Sequence, residues 1–349
     1  MDFTLTDEQE MLVDTAASLF AKEFPDQLVR DAVYDPTEMG PTAAQLAFDQ
    51  HLRDWFALGD ESLVNRCLLM EQSGRAVVTG PLWSTTSFAL PLLRSVQHGD
   101  ADAMAAGELS GTVAISGSDG AFQPNSGAVK YLVTDAATVD RVVVVEAGAG
   151  AVPTVSVYPA AELDMREVQN LDLSRPVYEV TVPEDSASNS SPIDAEQLEK
   201  VIQSAAVALA AEALGTAQWL RDTTIDYVSE RQQFGVPVGS FQGLQWKLVD
   251  AALVHERASA AVYYAAMCVD ADHPDRSDAA HIAKATAGTA ARRWATDGLQ
   301  AHGGIGYTWE HGLHLRLRRA QGQDRLLGDS NSHLDQLASH MFDIGETHE

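Results

Sequence analysis

Apolar residues recur with a helical period through the first third of the chain. Thr6 and Gln9 form a capping-box pair, and the apolar residues behind them are spaced as on one face of a helix. Similar spacing predicts further helices over 41–58, 61–74 and 83–96. The first third is therefore expected to be helical throughout.

The pattern changes near Gly111, where short β-branched runs alternate with Gly, Asp, Asn and Pro. About six such runs within roughly 75 residues predict a small antiparallel sheet domain and not βαβ units. No GxGxxG follows a strand, so a Rossmann site has no support. The polar stretch 185–192 reads as a linker. The clearest predicted strands cover 112–115, 129–134, 141–145, 154–158 and 177–182.

Long helical patterns return after the linker. Asp194, followed three residues later by Gln197, marks the start of the first. Four long helices with short connections favour an antiparallel bundle. The predicted helices cover 195–231, 240–270, 277–301 and much of the stretch after Trp309.

Composition narrows the possible partners. Hydrophobic residues make up 45% of the 349 residues, enough for a sizeable core. The net charge of −27 would repel nucleic acid and anionic membranes. Two cysteines support no disulfide framework, the first residues do not resemble a signal peptide, and no apolar run reaches the roughly 20 residues of a membrane span. These features predict a soluble, cytoplasmic protein.

Two segments carry more specific signals. The segment 230–242 combines Arg231, amide side chains and a glycine turn beside a helix N-terminus, a combination that suits a pyrophosphate. An ordinary helix–helix loop with an exposed arginine explains it equally well. The segment 300–311 has three glycines in four residues at a helix end, which a simple C-cap also explains.

Together, in this order and spacing, the two segments resemble the acyl-CoA dehydrogenase family. The opening 2–9 and the helix stretch 212–218 are similar to the family as well, so the likeness extends over the whole chain. The resemblance implies an α+β fold with an N-terminal helical domain (1–110), a small middle β domain (111–190) and a C-terminal four-helix bundle (191–349).

The resemblance also implies an FAD shared between two neighbouring subunits. In this family the two turns reach across the subunit interface to the neighbour's FAD. The implied contacts are Arg231 on the pyrophosphate, Gln233, Phe234 and Gln242 beside it, and Gln300, Gly303 and Gly304 at the adenine end.

The catalytic half of the family's site departs from the pattern. Family enzymes use a glutamate facing the flavin to remove the α-proton of an acyl-CoA thioester. Ungapped counting places that glutamate at Leu327, and the alternative position of a minority of members falls on Ala205. Asp329 and Glu212 are the remaining candidate bases. A helix N-cap or solvated acid is the simpler role for Asp329, and pairing with an arginine is the simpler role for Glu212.

The sheet domain departs as well. The family's Trp-Ile-Thr strand over the flavin is Leu132-Val133-Thr134 here, which keeps Thr134 as a flavin contact and loses the aromatic cover. His302 is expected to be a hydrogen-bonded turn histidine. The sequence contains no metal-ligand cluster and no Gly-x-Ser-x-Gly elbow.

The absence of the catalytic glutamate, together with the retained FAD-binding turns, predicts that two different subunits share one active site. The chain resembles the non-catalytic partner in α2β2 acyl-CoA dehydrogenases, including bacterial enzymes of steroid side chains. It would supply the FAD-binding arm while a paralogous subunit supplies the glutamate. The implied partners are an acyl-CoA and an electron-transfer flavoprotein. The alternatives are a self-sufficient homo-oligomeric dehydrogenase with an atypical base, and a non-enzymatic scaffold that retains the fold.

Overall fold

The N-terminal part of the chain is helical, as predicted. The computed structural model describes residues 4–34, 51–118, 123–147, 151–183 and 190–343. Helix α1 (Asp7–Glu23) begins with the predicted capping box, since the Gln9 amide donates to Thr6 Oγ1 (3.3 Å) and the Thr6 amide donates to Gln9 Oε1 (3.1 Å). These two bonds satisfy amide groups that have no partner inside the helix.

The remaining N-terminal helices partly match the prediction. The structure adds a helix that the sequence did not predict, α2 (Asp26–Tyr34). Most of the predicted helix over 41–58 lies outside the described residues, and its end is a 3-10 turn, Phe56–Asp60. The others are α3 (Leu63–Ala76), a π-helical turn (Ser84–Ala89) that continues into α4 (Leu90–Ser95), and α5 (Asp100–Ala105).

The middle part contains two small sheets. The first has the order β1–β3–β4–β7 and the second the order β2–β6–β5. The expectation of a purely antiparallel sheet is wrong for one pair, because β1 runs parallel to β3. The chain between them crosses to the other sheet as β2, which leaves room for this connection. The strands are β1 (Gly111–Ala114), β2 (Val129–Thr134), β3 (Arg141–Glu146), β4 (Thr154–Pro159), β5 (Asp164–Val168), β6 (Val177–Thr181) and β7 (Ser190–Pro192).

The last of these strands lies in the predicted linker. Residues 190–192 pair with β4, while 184–189 lie outside the described residues. The C-terminal part then begins with a 36-residue helix, α6 (Ala195–Glu230), capped by Asp194, whose Oδ1 accepts from the amides of Glu196 (2.9 Å) and Gln197 (3.2 Å). A two-stranded hairpin, β8 (Gln232–Gln233) and β9 (Val236–Pro237), follows. Its other helices are α7 (Gln242–Asp270), α8 (Arg276–His302), α9 (Leu313–Arg325) and α10 (Ser330–Asp343).

The prediction of a single final helix is corrected here. The chain breaks between α9 and α10, where Leu327 and Gly328 both have positive φ (54° and 87°). Two helices separated by a left-handed turn therefore replace one.

The helical N-terminal part packs closely against the bundle where α3 crosses α6. A Cβ added at Gly74 would lie 1.9 Å from the Glu212 carbonyl oxygen, and one at Gly215 would lie 1.8 Å from that of Glu71. Only glycine allows two backbones to approach this closely. Because Glu212 lies at this crossing, its side chain is fixed at the centre of the molecule.

Two further findings bear on the sequence predictions. Cys67 and Cys268 are both buried and unpaired with each other, as expected for two thiols in apolar helices. Among the helices of the described ranges, none is both long and apolar enough to cross a membrane.

Candidate functional site

The two segments singled out in the sequence meet at one cavity of about 560 Å³. The end of α6 and the β8–β9 hairpin bring Arg231 and Gln233 to one side, and the end of α8 brings Gln300 to the other. The hairpin turns through Phe234 and Gly235, both with positive φ (54° and 82°). The volume lies within the ~300–1,000 Å³ typical of small-ligand sites.

A second cationic residue, which was not predicted from the sequence, also lines this cavity. Lys247 lies on the second turn of α7, and its Nζ donates a hydrogen bond to Gln300 Oε1. The lysine thus links the two predicted segments directly. Its sequence signal was its position five residues after Gln242, on the same helix N-terminus. The full lining is Tyr227, Arg231, Gln233, Val238, Gly243, Leu244, Lys247, Gln300, Ala301 and His302.

His302 forms part of the cavity wall. Its Nδ1 is 2.8 Å from the Gly298 carbonyl oxygen, so it is hydrogen-bonded at the helix end, as predicted. The ring stacks on Tyr227 with centroids 4.4 Å apart and planes inclined by 20°. Burial lowers the pKa of His302 below its usual value.

Four other predicted contacts lie at the rim and do not line the cavity. Phe234 is 93% exposed, and Gln242, Gly303 and Gly304 are exposed too. A Cβ added at Gly303 or Gly304 would meet nothing within 4 Å. Within the described chain these glycines therefore face open space, unlike Gly74 and Gly215. Their predicted role toward a nucleotide stays a prediction.

The last predicted cofactor contact, Thr134, lies in a different and closed region. It borders a cavity of only about 20 Å³, which shares no lining residue with the first. The indole of Trp83 lies there and donates from Nε1 to the Ala205 carbonyl (3.1 Å). This space is far smaller than the first cavity, and a neighbouring cavity of about 290 Å³ shares Leu132 and Leu326 with it.

The two positions predicted to correspond to the family's base border this small cavity or lie next to it. Leu327 lines the small cavity and is buried, and Ala205 is fully buried. The Leu327 carbonyl accepts from His333 Nε2 (2.9 Å), and the Gly328 carbonyl accepts from Lys284 Nζ (3.0 Å). These two bonds hold the segment in place.

The two candidate bases both have structural partners. Asp329 caps α10, because its Oδ1 accepts from the Ser332 amide and hydroxyl, both at 2.9 Å. These bonds lower its pKa, which makes it a poorer proton acceptor. Glu212 is completely buried and paired with Arg175 (2.7 Å) and Arg319.

Glu212 belongs to a buried charge cluster at the junction of the three parts. Arg319 also pairs with Asp172 (2.8 Å). Asp135 is buried nearby and accepts from Ser84 Oγ (3.3 Å). Burial is the main cause that raises the pKa of Asp135 to about 6. The sequence predicted an arginine partner for Glu212 but not the rest of the cluster, because its members are far apart along the chain.

Comparison with known proteins decides the family. The family model "Acyl-CoA dehydrogenase, C-terminal domain" matches residues 196–342, which contain α6 to α10 and both cavity-lining segments. Acyl-CoA dehydrogenase FadE34 of Mycobacterium tuberculosis is 33% identical over 296 residues. The chain belongs to the acyl-CoA dehydrogenase family.

The relatives differ in how much of their own length this chain spans. The FadE34 match covers 80% of this chain but only 38% of FadE34. Acyl-CoA dehydrogenase IpdE2 of M. tuberculosis is 29% identical, with 97% of this chain and 99% of IpdE2 covered. Among solved structures, the ChsE4–ChsE5 complex from M. tuberculosis has the same fold at a TM-score of 0.84, with 19% identity and 100% of both chains covered.

FAD is the cofactor of this family, and the two regions differ in whether they fit it. The open cavity offers two cations, two amide side chains and an aromatic wall, which suit a dinucleotide. The cavity beside Thr134 is much smaller, at about 20 Å³. No group of three or more metal-ligating side chains occurs in the part of the chain that the structure describes.

Proposed function

We propose that this chain is one subunit of a heteromeric, FAD-dependent acyl-CoA dehydrogenase. Its β8–β9 hairpin and the end of α8, together called the arm, would bind the FAD of a neighbouring subunit. A paralogous subunit, paired with it as α2β2, would supply the catalytic glutamate. The observation that carries the proposal is the contrast between a cavity of about 560 Å³ at the two predicted FAD-binding segments and one of about 20 Å³ beside Thr134, the predicted flavin contact.

The chain's own residues would bind and orient the cofactor. Arg231 and Lys247 would neutralise the pyrophosphate, since charge-assisted hydrogen bonds to phosphate are among the strong ones. Gln300, held by Lys247, would direct its amide toward the nucleotide. When bound, FAD supplies the hydride acceptor for α,β-dehydrogenation. No residue of the arm needs to exchange a proton in this role.

The reaction of the whole assembly follows from the family. The substrate would be an acyl-CoA thioester, with a steroid side-chain CoA as the class that the resemblance suggests, and electrons would leave through an electron-transfer flavoprotein. A heteromeric assembly is supported by the similarity to ChsE4–ChsE5, a complex of two differently named chains.

The two alternatives fit the site less well. A self-sufficient enzyme needs a free base, whereas Glu212 is paired with two arginines and Asp329 caps a helix. A scaffold that kept only the fold has no need for Arg231 and Lys247 on one cavity of a chain with net charge −27. Cations gathered against that net charge point to an anionic ligand.

Expression of the chain with and without a paralogous subunit tests the proposal. We expect the chain alone to be colourless and inactive, and to gain flavin absorbance and acyl-CoA dehydrogenase activity on co-expression. A yellow, active assembly of this chain alone would refute it. Arg231→Ala should remove FAD from the complex; unchanged FAD content would favour the scaffold.

A further inference from the structure

One side of α7 carries a strip of exposed side chains, here called the α7 stripe. Trp246 and Leu253 are 65% and 66% exposed, and Val249 beside them is exposed too. Asp250 and Arg257 complete the stripe and are also exposed. Residues three or four positions apart lie together on a helix surface, so these five side chains are continuous. Exposed apolar residues grouped in this way mark an interaction surface.

The opposite side of α7 is covered by its own bundle. Helices α6 and α8 pack against α7 there. The buried residues on this side are Ala251, His255, Ala258 and Val262. At about 3.6 residues per turn, they lie across the helix from Trp246 and Leu253. The bundle therefore leaves the α7 stripe available to another molecule.

The charges of the α7 stripe complement the same stripe read in reverse. Asp250 and Arg257 lie at equal distances before and after the midpoint between Leu253 and Val254. Neither forms an ion pair with another of the described residues. If a second α7 packs antiparallel at this midpoint, each Asp250 meets the Arg257 of the other copy. Opposite charges brought together in this way fix the register of two helices.

The sizes of the side chains are complementary in the same register. Trp246 meets Ala260 and Ala261 of the other copy, which are exposed and half-buried in the single chain. Leu253 lies at the twofold axis, next to the Leu253 of the other copy. Large side chains opposite small ones allow two helices to approach and interdigitate. One register therefore satisfies charge and shape together.

We propose that the α7 stripe binds a second copy of this chain, packed antiparallel about a twofold axis beside Leu253. A twofold contact uses the same surface on both subunits, which suits a self-complementary stripe. The inference rests on the proposed function, because it names the contact that joins the two copies of this chain within α2β2.

The α7 stripe and the open cavity lie on different sides of α7. Lys247 lines the cavity and is one residue from Trp246, which places it ~100° further around the helix. Each copy would therefore bind its twin through α7 and a paralogous subunit through its arm.

Charge reversal in the co-expressed complex tests this contact. Asp250→Arg alone, or Arg257→Asp alone, would place like charges together twice across the twofold axis. In either variant we expect the dissociation of α2β2 into αβ pairs to rise on the order of 100-fold, measured by sedimentation velocity. The double variant should form α2β2 again, because it restores both ion pairs. Asp164→Arg, an exposed acid on β5, is the control and should leave the assembly unchanged.

The double variant decides which molecule covers the α7 stripe. If the paralogous subunit covered it, the double variant would stay dissociated, because the charges of that subunit are unchanged. That result would overturn the inference, and so would intact α2β2 in both single variants. Thermal unfolding checks that each variant is folded.

The purified chain alone separates this inference from the proposed function. It should dimerise with the same charge dependence. A short bismaleimide should link two copies of Leu253→Cys and not the parent, in which Cys67 and Cys268 are buried. Should the chain dimerise in this way but gain no FAD or activity with the paralogous subunit, the proposed function fails and the contact stands. Should the complex bind FAD while the chain alone is monomeric and cannot be linked at Leu253→Cys, only the contact is wrong.

Discussion

Cationic side chains have different surroundings in the open cavity at the bundle end and in the closed region beside the small sheets. At the open cavity, Arg231 and Lys247 both line the wall, and Lys247 bonds to Gln300. In the closed region, Arg175 and Arg319 are buried and paired with Glu212 and Asp172. The first region leaves Arg231 exposed at the cavity, although Lys247 lies 3.8 Å from Asp297, whereas the second region uses its arginines to hold distant parts of the chain together.

The difference is what the proposed function requires, because one site would bind FAD and the other would not. Trp83 and Leu327 line the small cavity beside Thr134. Under the proposed function, the hairpin and the α8 end would serve a neighbouring subunit. Because the two cavities share no residue, substitutions in each region should have separable effects.

The largest expected effect lies in the closed region. Glu212→Gln would leave Arg175 and Arg319 buried without their shared carboxylate. Breaking a buried ion pair typically costs ~3–5 kcal/mol of unfolding free energy. Denaturant unfolding measures the loss. The matched control is Glu256→Gln, an exposed glutamate 3.5 Å from Arg221, which should change stability by less than ~1 kcal/mol. Equal effects of the two variants would contradict the closed-region account.

Asp135→Asn should raise the free energy of unfolding at high pH, whereas Glu212→Gln should lower it. The folded-state pKa of Asp135 is raised from 3.8 to about 6, so its favourable contribution is complete below about pH 3.8 and is lost as the pH rises through about 6. At pH 8 the variant should be more stable than the parent by ~3 kcal/mol. The difference should vanish near pH 4. A constant difference across this range of unfolding measurements would show that Asp135 does not titrate in this way.

Arg231→Ala probes the open cavity. We expect roughly 30-fold weaker FAD retention by the co-expressed complex, or ~2 kcal/mol, with little change in thermal stability. Dialysis followed by flavin absorbance measures retention. Arg166→Ala is the control, because Arg166 is exposed and pairs only with Glu179 among the described residues. Loss of FAD from the control would mean that general charge, not the cavity, retains the flavin.

The smallest effect is expected at Asp329. Asp329→Ala removes the cap of α10 and should cost ~1 kcal/mol, whereas Asp329→Asn keeps a capping oxygen and should cost less. Because the folded-state pKa of Asp329 is lowered, the ionised carboxylate contributes stability at neutral pH, and this contribution fades as the pH falls below about 4. Neither variant should change dehydrogenase activity of the complex; loss of activity in both would make Asp329 a base.

Local signals predicted the helices well. Thr6 and Asp194 cap α1 and α6 through contacts within three residues, so their effect can be recognised in the sequence alone. The grouping of Arg231, Gln233 and Gln300 was also anticipated, through the family resemblance. These three residues line one cavity, and their role toward FAD stays a prediction.

Features that depend on distant parts of the chain were missed. The parallel pairing of β1 with β3 depends on how the chain crosses between two sheets. The break after α9 depends on Lys284, which is buried far back in α8 and binds the Gly328 carbonyl. Glu212 was expected to pair with an arginine, but Arg175 and Arg319 look like ordinary charged residues in the sequence. Only the fold shows that they are buried together.

The central claim is that this chain contributes an FAD-binding arm but no flavin site of its own. Flavin stoichiometry of the purified complex tests it most directly, with protein measured by amino-acid analysis and flavin by absorbance after release. If this claim is right, the purified complex should contain two FAD per four subunits. Four FAD per four subunits would contradict it.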